Sequence, residues 1–233
     1  MFQFKQFTIE QDQCAMKVCT DSCIMGAYLD LNNAQKVLDI GTGTGLLTLM
    51  LAQRHEVKFT ALEIDKQAFT QAKNNFTNSK WRDHITLIHQ DINQYASLVN
   101  SPQFDYIVCN PPFYENSLKS PNQQKNIVHH EGSLTQSQLL TCIKILLKTT
   151  GRFSVLLPIH EATIFEKKAS DSDLYLYDSL TIAHHSKKIP FRRIDSYQFT
   201  PTTPSNKNLI IKDLSNNYTP EFRHLLQDYY LIF

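Results

Sequence analysis

The sequence predicts an α/β protein: a doubly wound, mostly parallel sheet of seven strands with a late antiparallel strand. Three observations predict it. Apolar strands and amphipathic helices alternate from Lys36 to Ala169. Three glycines join the first of these strands directly to its helix. The last two apolar runs follow one another with no helical crossover between them, so they should pair antiparallel.

The elements follow in order. Lys36 to Ile40 (KVLDI) is a short apolar strand, and Gly45 to Arg54 opens a helix immediately after the glycines. Val57 to Ile64 is the second strand and Lys66 to Phe76 the second helix. Ile85 to His89 is the third strand, with a short helix near Asn93 to Leu98, and Phe104 to Cys109 is the fourth strand. Ser133 to Lys148 has helical spacing through Leu134, Leu139, Leu140, Ile143 and Leu147. Arg152 to Leu157 is the fifth strand, and Glu161 to Ala169 a helix. Leu174 to Ala183 and Ile194 to Phe199 complete the seven; Asn208 to Leu214 is a further candidate. Thr219 is placed to cap a final helix that has Pro220 in its first turn. One domain is expected over 1–233, with 1–35 as an N-terminal covering segment and 219–233 as the C-terminal helix.

Composition narrows the class. With 23 Lys+Arg against 22 Asp+Glu, the net charge is +1, so a nucleic-acid surface has to be local. The N-terminus, MFQFKQFTIEQD, has no basic region followed by a long apolar stretch, and no run approaches membrane-spanning length. A soluble cytoplasmic protein is expected. The five cysteines show no ligand spacing, with Cys14, Cys19 and Cys23 five and four residues apart. Adjacent histidines, as at His129-His130 and His184-His185, point to opposite faces of a strand. No metal site is expected.

The glycine turn reads LDIGTGTGLL. Gly41, Gly43 and Gly45 allow a tight turn and let the backbone approach a ligand. The spacing is G-x-G-x-G, not the G-x-G-x-x-G of dinucleotide sites. Asp39, just before it, would repel a pyrophosphate and suits an ammonium group. Glu63 ends the second strand, where a carboxylate can accept from both ribose hydroxyls. Asp91 follows the third strand, where an acid can take a proton from an adenine amino group. Adenine, ribose and an amine in place of pyrophosphate describe S-adenosylmethionine better than NAD.

The fourth strand ends in VCNPPFYEN, residues 108–116. The prolines break the ladder. A simple turn explains that break but not an amide followed by two aromatics. With Glu63 and Asp91 after successive strands behind a GTGTG turn, Asn110-Pro111-Pro112-Phe113 resembles the class I, Rossmann-like S-adenosylmethionine-dependent methyltransferases. Within them it resembles the branch that methylates planar exocyclic nitrogens. The terminal segments FQFKQFTIEQDQCAMKVCTDSCIMGAY and YTPEFRHLLQDYYLIF are similar to those of the bacterial tRNA1(Val) (adenine(37)-N6)-methyltransferase family.

The resemblance implies transfer to N6 of adenine 37, beside the tRNA anticodon. It makes the Asn110 side-chain oxygen and the Pro111 carbonyl the acceptors for the two N6 protons. Phe113 would stack on the unstacked base, with Tyr114 extending the wall. Asp39, Gly41, Gly43, Glu63, Asp91, Ile92 and Asn110 would surround S-adenosylmethionine, with Lys17 and Thr20 on the segment covering it. The RNA surface is expected in HHSKKIPFRR, where Lys187, Lys188, Arg192 and Arg193 bring four positive charges with no acid among them.

Rival readings differ in chain anatomy. A protein-glutamine methyltransferase resembles a chain with a sizeable helical domain before the glycine turn, and only 35 residues precede Lys36. DNA adenine methyltransferases usually carry a separate recognition domain, for which the residues after Leu157 leave little room. An rRNA guanine-N2 methyltransferase is the alternative enzyme. A non-catalytic binding module for S-adenosylmethionine and RNA is the alternative of another class.

Overall fold

A computed structural model describes residues 1–14, 17–31, 33–111 and 134–233. A small antiparallel hairpin, β1 (Phe2–Gln3) and β2 (Thr8–Ile9), precedes helix α1 (Thr20–Tyr28). The alternating region runs β3 (Lys36–Ile40), α2 (Leu46–Arg54), β4 (Lys58–Glu63), α3 (Lys66–Thr77), β5 (Ile85–His89), α4 (Ile92–Ser97) and β6 (Phe104–Cys109). It continues with α5 (Gln136–Leu146), β7 (Leu147–Pro158), α6 (Ile159–Ser170), β8 (Tyr175–Ala183), β9 (Arg192–Gln198), β10 (Ser205–Ile210) and α7 (Pro220–Leu226).

The main sheet has the order β10-β8-β9-β7-β6-β3-β4-β5. Among the described strands of this sheet, only β9 runs against the others, antiparallel to both β7 and β8. The late antiparallel strand therefore stands as expected. The count is eight, not seven, because the further candidate pairs parallel with β8 from Ser205. Its first four residues are exposed, so this edge strand is held by backbone pairing and carries little apolar periodicity for a sequence to display. The fifth strand also starts earlier than expected. Leu147 already pairs with Phe104, and Arg152 with Tyr106, so five residues of β7 advance against two of β6 in a bulge. Gly151 fits that bulge because a side chain there would meet Leu147 Cδ1 at 2.6 Å.

Two apolar layers sandwich the sheet. Helices α1, α2, α3 and α7 bury one face, and α4, α5 and α6 the other. The order of β6, β3, β4 and β5 sets the site. All four are parallel, so their C-terminal ends share one edge, and the chain leaves β3 toward β4 on one side and β6 on the other. Such a switch point opens a crevice at the strand ends.

The N-terminal segment is more than a cover. Residues 21–27 of α1 are all buried, which leaves the helix no polar stripe by which a sequence could announce it. Gly26 lets α1 pack closely on α2, since a Cβ there would lie 2.7 Å from Met50 Cβ. The helix is tied at both ends, through Asp21 to Arg192 of β9 and through the Tyr28 hydroxyl, which donates to Asp178 of β8. The chain termini meet as well: Lys5 N–H donates to the Tyr229 carbonyl, and Phe2, Phe4, Tyr230 and Phe233 form one aromatic cluster.

Candidate active site

Gly41, Gly43 and Gly45 all have positive φ, at 69°, 57° and 84°. Side chains there would be strained. Their surroundings differ. A Cβ on Gly45 would collide with the Phe76 ring, whereas one on Gly41 or Gly43 would meet nothing within 4 Å. Gly45 thus closes the turn against α3, and the backbone at Gly41 and Gly43 stays open to a ligand.

Asp39 lies beneath this turn, 1% exposed. Its Oδ2 accepts from the Thr42 and Thr48 hydroxyls, both at 2.7 Å. Burial pushes its carboxyl up from 3.8 to about 6, against the opposing pull of those two hydroxyls. The carboxylate therefore braces the turn and places a negative charge under it. At neutral pH it repels phosphate and favours a cationic group above.

Glu63, 7% exposed, sits at the end of β4. Its Oε2 accepts from Gly43 N–H at 2.8 Å and its Oε1 from Asp65 N–H at 2.9 Å. Each carboxylate oxygen can accept again, which fits a pair of vicinal hydroxyls. Asp91 caps α4, with Oδ1 accepting from the N–H groups of Asn93 and Gln94. Among the described residues, Oδ2 is left for a second partner. Ile92 beside it is buried in the layer under the strand ends. Open glycine backbone, a ribose-type acceptor and a buried anion fit S-adenosylmethionine. Asn110, Gly41, Glu63 and Asp91 follow adjacent strands and span three inter-strand steps, about 14 Å.

Asn110 immediately follows Cys109, the last residue of β6, next to the glycine turn. Its Nδ2 donates to the Ser22 hydroxyl at 2.8 Å. Its Oδ1 is buried and accepts no hydrogen bond among the described residues. An unpaired buried acceptor costs roughly 1–3 kcal/mol. A substrate amino group would supply the missing donor. Pro111 is half-buried beside it; Pro112, Phe113 and Tyr114 lie outside the described residues. Lys17 and Thr20 are exposed, Thr20 being the first residue of α1.

The basic segment needs correction. Arg192 and Arg193 belong to β9, not to the loop. The Arg193 guanidinium, in a side chain 16% exposed, pairs with Glu166 and Asp195, both at 2.6 Å. Arg192 pairs with Asp21 at 3.0 Å. The acids absent from the local sequence arrive from α6, α1 and β9 itself, and they turn two expected phosphate contacts into structural ties. Lys187 and Lys188 remain exposed at the hairpin tip beside Ile189, which is 88% exposed. Phe191 stacks on His184 with centroids 4.0 Å apart, so one face of the ring is covered. The tip rises at the same sheet edge as Asn110, because Arg192 pairs with Pro158 at the C-terminal end of β7.

Sequence reasoning missed Ser22. It lies in no motif, and only the fold brings it to Asn110, 88 residues away in the chain.

Comparison with known proteins shows the family. The family model for the methyltransferase small domain matches residues 14–140. A tRNA1(Val) (adenine(37)-N6)-methyltransferase of Dyadobacter fermentans is 43% identical over 237 residues, covering 100% of this chain and 98% of the relative. The protein of that name from Trichodesmium erythraeum is 41% identical, covering 99% and 97%. Among solved structures, a predicted O-methyltransferase of Agrobacterium tumefaciens superposes with a TM-score of 0.68 at 15% identity, over 88% of this chain and 95% of that one. That likeness speaks for the fold alone. By near-full-length identity, the chain belongs to the tRNA1(Val) (adenine(37)-N6)-methyltransferase family.

Proposed function

We propose that the protein transfers a methyl group from S-adenosylmethionine to exocyclic N6 of adenine 37 in tRNA1(Val), in the cytoplasm. The observation that carries the reading is the buried Oδ1 of Asn110, unpartnered among the described residues, beside the open glycine turn. The curated relatives, named for this reaction, support the substrate.

The chemistry follows from the nucleophile. The N6 lone pair of adenine is delocalised into the ring and attacks poorly. Two fixed acceptors for its protons, Asn110 Oδ1 and the Pro111 carbonyl, favour a pyramidal nitrogen with its lone pair aimed at the methyl group. When bound, S-adenosylmethionine supplies a methyl already activated by its sulfonium. Alignment then does most of the catalytic work. Glu63 holds the ribose, Asp91 the adenine of the cofactor, and the Asp39 charge favours the cationic end. Lys17 and Thr20 cover it. Phe113, with Tyr114 beyond it, stacks on the target base, which leaves its RNA stack to enter. Lys187 and Lys188 reach toward the phosphates of the anticodon arm.

Incubation with labelled S-adenosylmethionine and tRNA from a strain lacking the modification tests the reading. Nuclease digestion and mass spectrometry should find N6-methyladenosine at position 37. Label on guanine N2 would move the protein to the rRNA-type reaction, and tight cofactor binding with no transfer would make it a binding module.

A further inference from the structure

An acceptor at Asn110 is useful only if its amide points the right way. The two ends of a carboxamide have nearly the same shape. A flip about χ2 would aim two N–H donors at an amino group that is itself a donor. Something must select the orientation, and the first turn of α1 holds the candidates. Asn110 Nδ2 donates to Ser22 Oγ at 2.8 Å. Ser22 Oγ lies 2.8 Å from Cys19 Sγ. The thiol is pushed up to about 11, by burial first and then by the charge of the neighbouring Asp21 carboxylate. It therefore keeps its proton at neutral pH. Asp21 in turn pairs with Arg192 at 3.0 Å.

Direction follows from the two neighbours of the Ser22 hydroxyl. A hydroxyl oxygen can accept while its own proton is given elsewhere, and Cys19 Sγ lies within reach of the Ser22 proton. With that proton turned to the sulfur, the Ser22 oxygen accepts from Asn110. We propose that Ser22 is a positioning residue for methyl transfer: its oxygen accepts from Asn110 Nδ2, its proton turns toward Cys19 Sγ, and the Asn110 amide is held with Oδ1 facing the substrate nitrogen. The inference rests on the catalytic role given to Asn110.

The test uses single-turnover transfer at saturating tRNA and cofactor, with cofactor affinity measured separately by calorimetry. Ser22→Ala should slow transfer ~10-fold, as misalignment of a reacting pair does, and leave cofactor affinity unchanged. Ser22→Thr, which keeps the hydroxyl, should recover most of the rate. In an Asn110→Asp background orientation ceases to matter, because both ends are oxygen, so adding Ser22→Ala should cost little more. An unchanged rate for Ser22→Ala would overturn the proposal, as would an equal loss in both backgrounds. A loss confined to cofactor affinity would overturn it too. Should Ser22→Ala fail to fold, an Asn110→Asp/Ser22→Thr pair read against Ser22→Thr carries the same comparison, and a slow Ser22→Thr in both backgrounds would refute positioning. Asn110→Ala separates the two levels. Normal transfer by that variant refutes the role of Asn110 itself, whereas its loss beside an unaffected Ser22→Ala refutes only the positioning by Ser22.

Discussion

The row of strand ends from Asn110 to Asp91 and the basic hairpin from His184 to Arg193 rise from the same edge of one sheet. They differ in where their partners come from. At the strand ends the partners are mostly near in sequence: Thr42 and Thr48 for Asp39, Asp65 for Glu63, Asn93 and Gln94 for Asp91. At the hairpin they are mostly distant, with Glu166 on Arg193 and Asp21 on Arg192, and only Asp195 on Arg193 lies close in the chain. Local chemistry is therefore a good guide to the first region and a poor one to the second, where four apparent RNA contacts divide into two exposed lysines and two committed arginines.

The strongest way to break this contrast is at Asn110. Asn110→Ala should lower single-turnover transfer by about 100-fold or more, as loss of alignment does, with cofactor affinity near wild type by calorimetry. Near-normal turnover would remove the strand ends from the chemistry.

Arg193→Ala comes next. It leaves Asp195, whose side chain is 0% exposed, without its guanidinium. Stability should fall by about 3 kcal/mol, the usual cost of halving a buried pair, as read by urea denaturation. The salt dependence of tRNA binding should not change. A stable variant with a flattened salt response would return Arg193 to the RNA surface.

Glu63→Ala should weaken S-adenosylmethionine binding by about 1–3 kcal/mol, the range for hydrogen bonds to a charged acceptor. Calorimetry without RNA reads this directly. An unchanged affinity would reduce Glu63 to a tie for Gly43.

Asp39 sharpens the same side by pH. Its folded value, about 6, lies above the ordinary 3.8. The folded state therefore holds this proton more tightly, and the contribution of Asp39 to stability falls as pH rises from 3.8 to about 6. Asp39→Asn should flatten that part of the pH–stability curve. Cofactor affinity runs the opposite way, because an ammonium is attracted only by the ionised form. It should weaken in wild type as pH falls below about 6 and be weaker, without that step, in Asp39→Asn. A wild-type step retained by the variant would assign it to another group.

The smallest effect belongs to the lysines. Lys187→Ala with Lys188→Ala should leave thermal stability unchanged and lower the log–log salt slope of tRNA binding by about 1.4–1.8, two contacts at about 0.7–0.9 each. An unchanged slope would place tRNA docking away from the tip.

Much of this is legible in the sequence. The glycine turn, Glu63, Asp91 and Asn110 each close or follow a strand whose boundary is written in its apolar run, and parallel pairing then brings them to one edge. Other features are not. Helix α1 is buried on every side and lacks the polar stripe that periodicity detects. The eighth strand is polar and exposed over most of its length. The start of β7 lies in a bulge, where pairing departs from the regular count.

What the sequence determined by itself was the class of ligand and the strand ends that form the candidate site, because backbone conformation, strand ends and capping are short-range properties of a few consecutive residues. What only the tertiary structure decided was which charges are free and which way a side chain faces. Arg193 is neutralised by Glu166 and Asp195, and the Asn110 amide is held by Ser22, through bonds reaching 27 and 88 residues along the chain. Electrostatic and hydrogen-bond partnership depends on distance in space, and folding sets that distance between residues no local pattern connects.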